Sequence, residues 1–333
     1  MNRSASRPAA PAASDPTCAA LRSLTIQADA LALIYIAIIA AIASATGAYY
    51  IMFPELGALS YDVLRRPSGR WASAPVMLAI TPALTGLIGT AVTRSMPYGL
   101  ASVLIAVIGA VAIIVALRSP IAPAISAGLL PLVLGVKSWW YPPGILFGSV
   151  LLALISLVWK RYATGLCALD AADAVAPAVH HRFMPNYLWP LGVLFLVIAA
   201  VGCVELTGMR FILFPPLVVI TYEMFRHPAT CPWANRLLHL PPACFMCAAG
   251  GFFLHAAIPV AALAAAASMA WGIGVLRLLR LHVPPALAVA LLPMVMTRPT
   301  ILYPVAVAIG TALAAAWFAL FMLWSEGRSP EPA

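Results

Sequence analysis

Charge is scarce in this sequence, where Asp, Glu, Lys and Arg together make up 9% of the 333 residues. Soluble domains carry about a quarter charged residues, whereas this chain is 63% hydrophobic with a mean hydropathy of +0.99. An ordinary soluble protein is therefore excluded, and an all-helical integral membrane protein is predicted. The net charge is +9. Because the basic residues stand at the ends of apolar runs, they indicate membrane topology rather than nucleic-acid binding.

Cysteine patterns and catalytic motifs are also scarce. The six cysteines lie mostly in or beside apolar segments and form no disulfide framework. Cys244 and Cys247 have the spacing of a metal or redox pair, but no second pair and no ligand-spaced His accompanies them. No nucleophile elbow, phosphate loop or HExxH motif occurs. We therefore expect no metal, no cofactor and no enzymatic activity.

An internal duplication is the main pattern that is present. Residues 51–67 recur 161 positions later, at 212–228, with seven identities. Residues 117–131 recur 162 positions later, at 279–293, again with seven identities. Tyr141-Pro142 also returns, as Tyr303-Pro304. Self-similarity at one fixed spacing predicts two tandem repeats.

Each predicted repeat contains about six apolar segments, four long and two short. A spanning helix needs about 20 apolar residues, and the long runs fall near 30–50, 71–93, 97–117, 142–159, 187–207, 239–256, 258–276 and 301–324. The short segments all begin near prolines, at 51–63, 120–136, 211–225 and 283–296. We predict a disordered cytoplasmic tail, a first membrane repeat, a cytoplasmic linker, a second repeat and a C-terminal tail, at 1–27, 28–160, 161–185, 186–325 and 326–333.

The distribution of basic residues predicts the topology. If all twelve segments cross and the N-terminus is cytoplasmic, 15 of the 19 Lys and Arg residues face inward. The four left outside are Arg94, Lys137, Arg210 and Arg298. Both termini are then cytoplasmic and the repeats are parallel, in a membrane that we expect to be a bacterial inner membrane. Alternatively, the short segments enter and return on one side, which weakens the bias.

The proline-led segments are the best pointer to a solute path. A helix that begins inside the bilayer leaves N–H groups unpaired, and such backbone must face a cavity or other protein. Helix N-termini also attract anions. The alternative is that the prolines only begin or kink tilted core helices. The candidate path residues are Phe53, Pro54, Gly57, Tyr61, Asp62, Arg65, Pro123, Ser126, Phe214, Pro215, Tyr222, Glu223, Arg226, Pro284 and Pro285.

Two carboxylates occupy equivalent positions in the duplicated stretches. Asp62 and Glu223 each follow a Tyr and precede an Arg by three residues. That spacing predicts either a structural ion pair on one helix face or a gate or proton site at the inner mouth. Glu55 replaces a proline of the other half, and we expect it to be an ordinary interfacial carboxylate.

The duplicated stretches resemble the HPP family of bacterial and plant membrane proteins. Its motifs read roughly F-P-x-L-G-A early and H-P-P-A-G-A, then A-L-L-P, later. The matching residues are Phe53, Pro54, Leu56, Gly57, Ala58, Phe214, Pro215, Leu217, Pro123, Ala124, Leu129, Leu130, Pro131, Pro284, Pro285, Ala286, Ala288, Ala290, Leu291, Leu292 and Pro293. Val283 and Leu287 stand where the family has His and Gly. Since some plant and cyanobacterial members are implicated in nitrite transport, the resemblance implies a small-anion carrier.

The sequence therefore predicts a membrane transporter or channel for a small solute, with a small inorganic anion such as nitrite as the leading substrate. The alternatives are a non-transporting scaffold or regulatory subunit, and an exporter of a hydrophobic compound. The expected partners are the lipid bilayer and a small molecule or ion, without nucleic acid. A homo-oligomer is left open.

Overall fold

The computed structural model describes residues 16–163 and 188–326. The predicted linker and C-terminal tail lie outside the described residues except at their first positions. Within these ranges, twelve α-helices and four short 3₁₀ helices are the regular elements. The first half contains α1 (Pro16–Thr46), α2 (Glu55–Arg65), α3 (Pro75–Ser95), α4 (Leu100–Ala116), α5 (Ala124–Leu134) and α6 (Tyr141–Tyr162). The second contains α7 (Trp189–Thr207), α8 (Pro215–Arg226), α9 (Leu240–Ala257), α10 (Ala261–Leu278), α11 (Pro285–Leu291) and α12 (Tyr303–Glu326).

Seven helices are long and apolar enough to cross a membrane: α1, α3, α6, α7, α9, α10 and α12. These helices turn large apolar side chains outward, among them Leu154, Phe195 and Leu323, each more than half exposed. Such surfaces suit contact with lipid. The chain is therefore an integral membrane protein, as its composition predicts.

Two predicted boundaries differ from the structure. The tail was predicted to reach residue 27, but α1 begins at Pro16. Because residues 17–46 contain no Gly or Pro, the helix extends back to a proline that suits a first turn. The other difference is α4, predicted as a long run over 97–117. It is a 17-residue helix, because Pro97 and Gly99 delay its start to Leu100.

Four short helices, α2, α5, α8 and α11, form the centre of the molecule. Every residue in them is buried apart from the C-terminal residues Arg65, Leu134 and Arg226. Within this group α2 packs on α11, α5 packs on α8, and α8 packs on α11. The short segments predicted from proline positions are thus helices, and the surrounding helices shield them from lipid.

The same packing relations occur in each half. The third helix of the half, α3 or α9, packs against the three helices that follow it. Contacts between the halves are also reciprocal, because α1 packs on α10 while α4 packs on α7. Within each half, the close approach of the third helix to the short helix that follows depends on a glycine. A Cβ on Gly89 would overlap the Gly128 carbonyl, and a Cβ on Gly251 would overlap the Ala290 carbonyl.

The recurring Leu-Leu-Pro and Tyr-Pro motifs have one physical explanation. Pro131 has no N–H, so the Ala127 carbonyl loses its helical partner, and the Tyr141 hydroxyl donates to that carbonyl at 3.0 Å. In the second half the Tyr303 hydroxyl donates at 2.6 Å to the Val289 carbonyl, whose helical partner Pro293 has no N–H. Buried backbone freed by a proline must find another donor inside a membrane, and the tyrosine is that donor.

Candidate functional site

Pockets lie at both ends of the central helices. The C-terminal end of α2 and the N-terminal end of α11 meet at a pocket of about 120 Å³, here called the charged pocket. Its ionisable lining residues are Asp62, Arg66, Arg70, Glu223, Cys231 and His282. The opposite ends of the same two helices, at Met52 and Met294, line a cavity of about 560 Å³, here called the apolar cavity. Since α2 and α11 contact each other along their lengths, the two spaces lie at opposite ends of one buried segment.

Pairs between the halves cross the charged pocket. Asp62 lies 2.9 Å from His282 Nε2, so a first-half carboxylate pairs with a second-half imidazole. Glu223 pairs in the other direction, 3.7 Å from the first-half guanidinium of Arg70. Each carboxylate thus finds its partner across the boundary between the halves, and the two contacts tie α2 and α8 to the opposite half.

The predicted pairing at i+3 is wrong in its partners. Arg65 forms an ion pair with Asp29 of α1 at 3.1 Å, and Arg277 of α10 binds the same carboxylate. The guanidinium of Arg226 lies over the Trp189 ring, 5.4 Å from its centre. The spacing does place each Arg on the face of its carboxylate. However, α1 brings the carboxylate of Asp29 to Arg65, and α7 brings the Trp189 ring to Arg226.

His227 follows α8 directly and forms part of the rim of this region. Burial, together with the neighbouring guanidinium groups of Arg70 and Arg226, lowers the pKa of His227 to about 4. The imidazole is therefore neutral at pH 7 and can accept from Arg70, whose nitrogen lies 3.0 Å from His227 Nε2. Arg70 consequently holds both His227 and Glu223.

The two predicted tyrosines flank the charged pocket without lining it. Tyr61 stacks on His282 with ring centres 5.9 Å apart, and its hydroxyl accepts from Arg65. Tyr222 contacts Trp189 edge to face at 5.4 Å. Both rings therefore support neighbouring charged residues, and Tyr61 fixes the orientation of the imidazole that pairs with Asp62.

A second set of cations gathers near the apolar cavity. Arg94, Lys137 and Arg210 line a pocket of about 400 Å³ together with Thr93, Ser95 and Tyr98, here called the basic pocket. It adjoins the apolar cavity along the C-terminal end of α5. Three of the four basic residues predicted on the outer side are thus in one place. No Asp or Glu is among the described residues that line this pocket, although Glu205 lies near its lining residue Tyr98.

The proline-led helix starts do not present the free donors that were predicted. Most of the described first-turn N–H groups already donate to carbonyls three residues earlier, at 2.9–3.1 Å. The donor residues are Leu56, Gly57, Ser126, Leu217, Ala286 and Leu287. Such tight turns are a standard way to satisfy the unpaired groups of a helix terminus. The prolines do begin helices, but the backbone there is closed on itself.

Glu55 differs most from its predicted position. It was expected at the membrane interface, but its side chain is only 1% exposed at the start of α2. Among the described residues no donor reaches either carboxyl oxygen with hydrogen-bond geometry, although the Ser126 hydroxyl and the N–H of Glu55 itself lie close enough to interact with the carboxyl group. No sequence signal marked this burial, because the residue looks like a first-turn acid beside a proline.

The other path candidates divide between the charged pocket and the buried centre. Asp62, Glu223 and Pro284 line the charged pocket. Most of the remainder are buried in the short central helices or directly before them: Phe53, Pro54, Gly57, Pro123, Ser126, Phe214, Pro215 and Pro285. Arg70, the partner of Glu223, and His282, the partner of Asp62, were not among the predicted site residues. The proximity of both to a carboxylate depends on contacts between the halves, which the sequence does not encode locally.

No known protein family, curated protein or solved structure matches this chain.

Proposed function

We propose that this protein is a transporter or channel for a small solute, with a path that runs along the four short central helices. The observation that carries the proposal is the position of the charged pocket and the apolar cavity at opposite ends of α2 and α11. A cavity at each end of a shielded segment is the arrangement that a solute crossing the bilayer requires.

The described conformation is closed between these two spaces. An 11-residue helix such as α2 is about 16 Å long, and nearly all of its residues are buried. Asp62–His282 and Arg70–Glu223 close the charged end. Opening that end requires the two pairs to separate, so we infer that they act as a gate between the halves.

A small inorganic anion is the substrate class that we favour, with nitrite as the first candidate. The basic pocket supports this choice because three cations without a lining carboxylate attract anions to the mouth of the apolar cavity. The proposed HPP kinship, which depends on the motifs alone, agrees with it.

We further propose that the chain consists of two parallel tandem repeats with both termini cytoplasmic, in a bacterial inner membrane. Three features support the duplication. They are the reciprocal helix contacts, the tyrosine hydroxyls that donate to carbonyls freed by a proline in each half, and the matching backbone φ angles of Arg118 and Arg280. These two residues stand 162 positions apart and have φ values of 49° and 51°. Residues other than Gly rarely adopt such positive φ angles.

A second candidate function is export of a hydrophobic compound. The apolar cavity favours it, because Leu130, Leu134 and Met294 contribute to its lining. A scaffold or regulatory role without transport is the third candidate, and the experiment must distinguish it from the other two.

The test is uptake by purified protein in liposomes, with nitrite, nitrate, formate, chloride and sulfate offered separately. We expect saturable uptake of one small anion. Arg210→Gln should raise its half-saturation concentration about fivefold, equivalent to about 1 kcal/mol, because a cation is lost from the basic pocket. The matched control is Arg298→Gln, which removes an exposed outer cation that does not line that pocket.

Three outcomes would count against the anion proposal. No uptake of any anion by correctly folded protein would overturn it, and binding of an apolar dye in the cavity would then favour the exporter. Stability only in the presence of a co-purified protein, again without uptake, would favour the scaffold. Equal effects of the two Arg variants on the half-saturation concentration would show that the basic pocket does not attract the anion.

A further inference from the structure

One buried acid in the centre has no counterpart in the other half. Glu55 begins α2, and Pro216 occupies the matching position of α8. Its neighbour Ser126 in α5 likewise corresponds to Ala288 in α11. The only polar pair at this level of the short helices therefore belongs to the first half, among the residues that the structure describes.

Within residues 16–163 and 188–326, no cation compensates Glu55. The described titratable groups near it are the hydroxyls of Tyr141 in α6 and Tyr303 in α12, and both already donate to backbone carbonyls. Tyr35 of α1 donates to the Gly148 carbonyl. Asp29 of α1 and its two Arg partners lie at the far end of α2, beside Arg65.

The start of α2 also offers little compensation. Its N-terminus contributes a partial positive charge, but the N–H groups of Leu56 and Gly57 donate to the carbonyls of Phe53 and Pro54. An ionised carboxylate without a partner is too costly in an apolar interior, and such a group takes up a proton instead. Glu55 is therefore neutral in the closed conformation.

The location of Glu55 gives this proton a route. Met52, three residues before it, lines the apolar cavity, while Asp62, seven residues after it, lines the charged pocket. Seven residues of helix span about 10 Å. The acid thus lies between the charged pocket and the apolar cavity, closer to the apolar cavity. Opening of the buried segment toward either space would admit water to its carboxyl group.

We propose that the Glu55 carboxyl is the proton-binding site that couples solute movement to protons. This inference rests on the transport function proposed above. When the path opens to the apolar cavity, the carboxylate takes one proton from water, and the neutral acid then permits an anion to pass. When the path opens to the charged pocket, the carboxyl returns one proton to water. One proton moves in each cycle, and no covalent bond changes other than O–H.

The test begins with a readout that does not need transport. In detergent-solubilised protein at pH 7, infrared spectroscopy should show the C=O band of a protonated carboxylic acid. Glu55→Gln should remove this band, since it keeps the size of the side chain but cannot bind the proton. The matched control is Glu205→Gln, the same change at an exposed acid near the end of α7. It should leave the band intact.

The second readout uses proteoliposomes. An inward proton gradient should stimulate anion uptake severalfold in the unaltered protein and in the Glu205→Gln variant, while Glu55→Gln should respond to no gradient. If Glu55→Gln fails to fold, Ser126→Ala serves instead, and it should shift the band without removing it. A protonated-acid band with the same intensity in Glu55→Gln as in the unaltered protein, or uptake driven by a sodium gradient that Glu55→Gln abolishes, would overturn the proposal.

The two proposals can fail separately. Loss of the band in Glu55→Gln without uptake of any anion would retain the proton site and reject the anion substrate. Anion uptake that ignores the proton gradient in the unaltered protein, with no protonated-acid band, would retain the transporter and reject the role of Glu55.

Discussion

The first half of the chain carries Glu55 and Ser126 where the second carries Pro216 and Ala288, although the helices around these positions pack alike. Several features that the halves share, such as the glycine contacts and the tyrosine-capped prolines, concern backbone that must be packed or hydrogen-bonded inside a membrane. The equivalent carboxylates Asp62 and Glu223 are also shared, and each has a charged or imidazole partner. The feature that differs is a buried carboxyl group without a charged partner. The comparison teaches that the shared backbone contacts do not require Glu55, because the second half makes them with a proline in its place.

The strongest test of equivalent packing is to add one methyl group in each half. Gly89→Ala and Gly251→Ala should each destabilise the protein by about 3 kcal/mol, because the new Cβ would overlap a backbone carbonyl that cannot move aside. Thermal unfolding in detergent measures the effect.

Gly202→Ala and Gly274→Ala are the controls for this pair. Both lie in helices, and no atom stands within 4 Å of an added Cβ. Alanine favours helix over glycine by about 0.5–1 kcal/mol, so these variants should be as stable as the parent or slightly more so. A large loss in only one of Gly89→Ala and Gly251→Ala would break the comparison.

A smaller and again equal effect is expected at the tyrosines. Tyr141→Phe and Tyr303→Phe each remove the donor to a carbonyl whose helical partner is a proline. A buried carbonyl without a partner should cost about 1 kcal/mol. Chemical unfolding of the two variants should give equal losses. If Tyr141→Phe costs nothing, another donor serves the Ala127 carbonyl and the explanation of the motif fails.

The smallest effect concerns the ends of α2 and α8, where His227 of the second half stands at the place of Arg66 in the first. His227 has a pKa of about 4 in the folded protein against an ordinary value of 6.5, because it is buried beside two guanidinium groups. Between these values the unfolded chain binds the proton and the folded chain does not. Stability should therefore fall modestly as pH decreases from 6.5 to 4, and level off below.

His227→Gln should remove that part of the pH dependence. The measurement is the unfolding temperature of both proteins across this range of pH. Parallel curves for the two would mean that His227 accepts its proton in the folded state and that Arg70 moves away from it.

Most of the fold could be predicted from the sequence because its signals are local. Long apolar runs identify spanning helices, and prolines identify where short helices begin, so all four short helices were placed close to their observed bounds. The start of α1 was missed because the Ala-, Pro- and Ser-rich composition of the first residues predicts a disordered tail, whereas Pro16 begins a helix that continues without Gly or Pro to Thr46.

The site was less predictable because its contacts join distant parts of the chain. Asp62 and Glu223 could be chosen as an equivalent pair, but their partners His282 and Arg70 come from the opposite half. Burial of Glu55 depends on helices from both halves as well. Spacing along one helix shows which residues share a face, but it does not show which neighbouring helix that face meets.

The complete shielding of the short helices has a consequence for biosynthesis. A segment such as α11, with seven residues and no surface turned to lipid, is too short to cross the membrane by itself as it leaves the ribosome. α2 is synthesised well before α11, so its packing partner is absent until the second half of the chain has been made. The nascent chain therefore needs protection of its central segments until synthesis of the second half is well advanced.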